Sequence, residues 1–137
     1  MKKWLVAGCM AMGVATAPQA AELFVNISSG QAMAQGAALV LATQALEQNA
    51  EVRVLLCDAA ADMAVRGQTL PTLKPRNVTT QQMLQGVIQA GAKVEVCALY
   101  LPNTGKQASD LIDGVTPARP ADVAAHLLQP SVKVLSF

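Results

Sequence analysis

The chain has 137 residues, with 10 lysines and arginines against 9 acids and a formal net charge of +1. That balance offers no basic face to a nucleic-acid backbone, and an aromatic content of 3% leaves little for stacking platforms. Hydrophobic residues make up 53% of the chain, enough for one core at this size.

The opening "MKKWLVAGCMAMGVATAPQA" has two lysines, an apolar run from Trp4 to Ala17, and small residues at Ala17, Ala20 and Ala21. This is the layout of a secretory signal peptide. The run is shorter than the roughly 20 apolar residues that span a bilayer. "LVAGC" has the form of a lipoprotein box, but few apolar residues precede Cys9 and the apolar run continues past it. Residues 1–21 are therefore expected to be removed near Ala20 or Ala21. Residues 22–137 then form one exported domain, periplasmic in a bacterium and with no membrane segment of its own. Losing Lys2 and Lys3 leaves 8 basic residues against 9 acids, a net charge of −1.

"LFVNIS" (23–28) reads as a short buried strand. Ser28 and Gln31 have capping-box spacing, and a helix follows over 31–48 with Met33, Ala37, Val40 and Leu41 as its expected inner face. Asn49 is the stop. "VRVLLC" (52–57) is a second strand, and "DAAADMAVRG" allows a helical turn or two before Gly67. Pro71 and Pro75 mark "QTLPTLKPRN" as a loop. Thr79 opens the clearest helix. Thr79 and Gln82 make a capping box, and Val78 and Met83 a hydrophobic staple. Met83, Leu84, Val87 and Ile88 form its face, and Gly91 closes it. "KVEVCA" is the third strand. Pro102 and Gly105 suggest a turn in "LYLPNTG", and "ASDLID" a short helix. "GVTPARP" is irregular or a short edge strand. Pro120 suits the start of a helix to about Gln129, with Val123, Leu127 and Leu128 inward and His126 outward. "VKVLSF" is the last strand.

Apolar strands alternating with helices indicate an α/β fold, a parallel sheet covered by helices on both faces. Ligands in such folds bind beyond the carboxyl ends of the strands. Those ends carry Ser28, Ser29 and Gly30, then Cys57 and Asp58, then Cys97 and Ala98. A helix start after the first strand would aim free N–H groups at this rim and favour an anion. Cys97 fits three roles: a buried core residue, half of a disulfide with Cys57, or a working thiol. Leu55 and Leu56 suggest a deeper setting for Cys57. An outward His126 gives no Cys/His pair. Lys74 and Arg76 are solvated charges or guides for an anionic sulfur species. No Cys/His cluster or CxxC spacing is present, so neither a metal nor any other cofactor is expected.

The order of elements from "LFVNIS" to "VKVLSF", and above all "VEVCALYLPNTG", resembles the DsrE-like sulfur-carrier proteins. Cys97 and Gly105 match the family's strand-ending cysteine and following glycine. The tail "DGVTPARPADVAAHLLQPSVKVLSF" matches its closing segment, helix and strand. The resemblance implies a three-layer α/β/α fold with a parallel sheet of four to five strands. It also implies a persulfide on Cys97, with Cys57 as a second thiol one strand away. The pocket would be formed by Ser28, Ser29, Gly30 and Asp58. Partners would be sulfur donor and acceptor thiols or proteins, in a trimer or hexamer. Export and Pro102-Asn103 depart from the family pattern. A competing expectation is a non-catalytic oligomeric binding or assembly module with both cysteines buried or disulfide-bonded.

Overall fold

A computed structural model describes residues 19–137; the expected signal peptide lies almost wholly outside the described residues. Strand β1 (Glu22–Ile27) leads into helix α1 (Ala32–Glu47) and strand β2 (Glu51–Leu56). A 3-10 segment (Asp58–Ala64) is followed by a hairpin of β3 (Thr72–Leu73) and β4 (Val78–Thr79). Next come α2 (Thr80–Gln89), β5 (Lys93–Val96), α3 (Tyr100–Thr104) and a 3-10 turn (Ala108–Asp110). β6 (Val115–Pro117), α4 (Pro120–Leu127) and β7 (Val132–Ser136) complete the fold.

Five strands form one parallel sheet in the order β6-β5-β2-β1-β7. Paired residues share a face because side chains alternate along a strand. Val25, Val54, Val94 and Val115 are in register across four strands, as are Ile27, Leu56 and Val96 across three. These residues pack with Ala38, Leu39 and Ala42 of α1 and with Leu84 and Val87 of α2. The core therefore lies between the sheet and the α1–α2 layer.

The opposite face is mixed. Phe24, Arg53 and Lys93 are in register there, as are Asn26, Leu55 and Glu95. Helix α4 covers it, with the Phe24 and His126 rings 5.9 Å apart and Arg53 Nη1 donating to the Asp122 carbonyl at 3.3 Å. Arg53 and Glu95 form a buried ion pair at 2.6 Å. Lys93 Nζ also lies 3.1 Å from Glu95 Oε1, and the pairing offsets the cost of holding these charges out of water beneath α4.

Helix α2 starts as its sequence dictates. Thr79 accepts from the Gln82 N–H, and the Gln82 side chain accepts from the Thr79 N–H. Elsewhere the structure corrects the reading. No Ser28–Gln31 capping box forms: α1 has no side-chain cap, and the Ser29 hydroxyl accepts from the Gln31 N–H. Its inner face is Gln35, Ala38, Leu39 and Ala42, while Met33, Val40 and Leu41 are 80%, 51% and 46% exposed. Ala38 and Ala42 flank the buried Leu39 on the sheet side, while Met33, Val40 and Leu41 turn outward. The expected 68–77 loop contains β3 and leads into β4. The turn after Cys97 is the short helix α3. Pro102 is tolerated in its first turn, where no N–H is needed, and Gly105 ends it at φ 65°. On α4, Leu127 and Leu128 are exposed, and it is Val123 and His126 that face inward. His126 lies three residues after Val123, which puts it on the same side of the helix.

Candidate thiol site at the strand ends

Cys57 follows β2 and Cys97 follows β5, and these strands are neighbours with Leu56 paired to Val96. The ladder runs one step further. The Cys97 N–H donates to the Leu56 carbonyl at 2.8 Å, and the Cys57 N–H to the Ile27 carbonyl at 2.9 Å. Both cysteines are thus fixed by main-chain bonds at one rim, with Cα atoms 5.0 Å apart, and are joined as a disulfide. Both are half-buried. Cys97 packs against the edge of the core.

The segments after the cysteines are also tied together. The Tyr100 hydroxyl, three residues past Cys97, donates to Asp62 Oδ1, five residues past Cys57. Burial, then the hydrogen bond and charge of Asp62, push the Tyr100 hydroxyl well above the usual tyrosine range. It therefore remains a neutral donor at any physiological pH. Sequence reasoning passed over this pair; its signal was the chain's one tyrosine so close to Cys97.

Of the expected pocket residues, Gly30 comes against the segment after Cys57: a Cβ on it would lie 3.0 Å from that of Ala59. The Ser28 and Ser29 N–H groups form no part of the expected cradle at the start of α1, which has no side-chain cap. Ser28 and Ser29 both donate to the Phe137 carbonyl, at 2.8 and 3.3 Å. Asp58 is exposed beside Cys57, with φ 50° in the left-handed region that Asp tolerates. Ala98 is exposed after Cys97, and Leu99 is 74% exposed.

His126 is remote from the thiols. It sits by Glu22 at the amino-terminal end of β1, Nδ1 3.8 Å from Oε2. Lys74 and Arg76 border a groove of about 600 Å³ between α1, α2 and the hairpin, with walls that include Ala37, Val40 and Met83 but neither cysteine. Among the described residues, no group of three His, Cys, Asp or Glu side chains is placed to hold a metal. No helix among them is long and apolar enough to cross a membrane.

The fold has counterparts among solved structures. The ychN protein from E. coli superposes with a TM-score of 0.71 at 24% identity, over 87% of this chain and 100% of that one. A protein of unknown function from Methanobacterium thermoautotrophicum gives 0.65 at 11% identity, over 85% and 99%. The chain matches no protein-family model and no curated protein.

Proposed function

We propose that residues 22–137, an α/β fold of DsrE-like type with a five-stranded parallel sheet between helices, act as an exported sulfur carrier, periplasmic after loss of residues 1–21, binding sulfane sulfur as a persulfide on Cys97. The carrying observation is the backbone-fixed pair of half-buried cysteines at the carboxyl rim of the sheet. In the reduced protein the Cys97 thiolate attacks the outer sulfur of a donor persulfide R–S–SH. One S–S bond forms, the donor S–S bond breaks, and RS⁻ leaves with the electron pair. Cys97–S–SH then passes its outer sulfur to an acceptor thiolate in the same way. Cys57 is the resolving thiol: its attack on the Cys97 sulfur expels hydrosulfide and closes the disulfide, the form an oxidising compartment favours.

The exposed α1 stripe of Met33, Val40 and Leu41, next to the groove, supports self-association. A homo-oligomer is therefore part of the proposal, with donor and acceptor thiols or proteins as further partners.

The test uses the reduced native protein and inorganic polysulfide, read by intact mass. Gain of one or more sulfur atoms, kept in Cys57→Ser and lost in Cys97→Ser, supports the carrier. No gain in any form leaves the competing module, whose disulfide is purely structural and whose work is done by its oligomer surface.

A further inference from the structure

Each cysteine is followed by a turn, and the two turns are built alike. The Cys57 carbonyl accepts from the Ala60 N–H at 3.2 Å, and the Cys97 carbonyl accepts from the Tyr100 N–H at 2.9 Å. The first turn opens the 3-10 segment Asp58–Ala64 and the second opens α3. Among the described residues, one side-chain hydrogen bond joins these two segments, from the Tyr100 hydroxyl to Asp62 Oδ1. Tyr100 is 6% exposed, and Ala60, Ala61, Met63 and Ala64 of the facing segment are fully buried. A bond to a carboxylate in such a setting is among the stronger hydrogen bonds. The backbone it secures is not relaxed. Asp58 begins the first turn at φ 50°, a left-handed conformation that a non-glycine residue keeps only where its surroundings hold it. The ladder bonds from Cys97 to Leu56 and from Cys57 to Ile27 fix the amino side of each cysteine. The carbonyl side of each leads into its own turn, and the Tyr100–Asp62 bond links one turn to the other. The far end of the 3-10 segment is held separately. There the Ala64 carbonyl accepts from the Ile112 N–H, and the Met63 carbonyl from Gln81 Nε2. Loss of the link therefore loosens the turns without unfolding them.

We infer that Tyr100 and Asp62 are positioning residues for the cysteine pair, their bond holding the two turns together in the reduced protein and so setting how readily Cys57 and Cys97 close. Both act through the backbone of the turns. The inference rests on the carrier reading for the step it serves, the closure by which Cys57 expels hydrosulfide from the Cys97 persulfide. Closure is intramolecular, and its advantage over the same exchange between separate thiols depends on how well the reacting atoms are oriented. Tyr100 stays a neutral donor wherever thiols exchange, because burial and then Asp62 raise its ionisation.

The experiment equilibrates the protein with reduced and oxidised glutathione and reads the ratio of disulfide to dithiol by alkylation and intact mass. In that exchange the two protein thiols give two electrons to glutathione disulfide, and their protons leave on two glutathione thiols. The ratio gives the effective concentration of one cysteine at the other. Tyr100→Phe and Asp62→Ala should each lower it about tenfold. The double variant should fall no further, because the two groups act through one bond. Asp62→Asn keeps an oxygen that accepts from Tyr100 and should stay within about threefold of native. Thr79→Ala removes a cap on α2 and should leave the ratio unchanged, which separates positioning from a general loss of stability. An unchanged ratio in Tyr100→Phe overturns the inference. So does an equal fall in Thr79→Ala, or a fall in Asp62→Asn as deep as that in Asp62→Ala. Polysulfide loading of the reduced native protein is read separately. If it succeeds while Tyr100→Phe leaves the ratio unchanged, the carrier stands and the positioning falls. If the ratio falls as expected while no form gains sulfur, the positioning stands and the carrier falls.

Discussion

Opening the Cys57–Cys97 bond should destabilise the protein almost entirely through the unfolded state. The native positions of the cysteines are set by the β2–β5 ladder, which brings their Cα atoms to 5.0 Å. The folded protein therefore loses little when the bond opens. The unfolded chain gains the freedom of a loop spanning 40 residues. In the chain-entropy description that loop is worth about 4 kcal/mol at 25 °C. This is a large part of the 5–15 kcal/mol typical of a whole domain. Urea unfolding followed by far-ultraviolet circular dichroism, with and without a phosphine reductant, measures the difference. Cys57→Ser, Cys97→Ser and the double variant should each lose a similar amount, because each removes the same cross-link, and reductant should then change nothing. An unchanged midpoint on reduction of the native sequence would refute the reasoning. So would single variants more than about 1 kcal/mol apart, which would make one cysteine a core residue in its own right.

Three further outcomes are expected. Thr79→Ala removes the observed capping box of α2 and should cost about 1 kcal/mol in denaturant unfolding; no change would mean that the Gln82 side chain alone holds the helix start. Glu95→Ala leaves the Arg53 guanidinium buried, with Nη2 already lacking a partner, and should cost about 3–5 kcal/mol, while Arg53→Leu with Glu95→Val recovers most of it; equal losses in both variants would count against a desolvation penalty. Tyr100, the chain's single tyrosine, has its ionisation raised in the folded state by burial and then by Asp62. Its stabilising contribution is full below the unfolded value of about 10. It falls as pH rises above that value toward the folded one, because only the unfolded chain ionises there. Phenolate absorbance should lag the unfolded-state titration, and Asp62→Asn should narrow the gap without closing it.

Local rules carried the reading where the signal was local. Helix α2 has a capping box and an apolar face within a dozen residues, and both are found in place, with Leu84 and Val87 buried and Met83 and Ile88 packed against the core. Helix α1 gave no such handle. Its apolar residues lie nearly all round it, so periodicity alone could not say that Ala38, Leu39 and Ala42 face inward while Met33 and Val40 face out. What decides is the room between α1 and the sheet, and that is a property of the packed layers. The hairpin strands are two residues each, too short for any alternating pattern to register. His126 was turned the wrong way because Leu127 and Leu128 were assigned to a core that α4 does not have. The sheet face beneath α4 instead holds Phe24 and the Arg53–Glu95 pair.

The thiol site divides along the same line. That each cysteine ends a strand could be read from the residues around it. That the two strands are neighbours could not, because 40 residues and a helix separate them and spacing does not fix strand order. The expectation came from the resemblance, and the order β6-β5-β2-β1-β7 supplies the physical reason. Helix α2 carries the chain from the end of β2 back to the start of β5, so the two strands run parallel side by side. Their register then matters as much as their order. Leu56 pairs with Val96, so the next residue on each strand arrives at the same height and on the same side of the sheet. Moving either cysteine by one residue would turn its side chain to the opposite face. The bond depends on a coincidence of order and register, and the same coincidence keeps the sulfurs together once the bond is open. A reversible pair needs that property, whereas a bond that serves only as a staple does not.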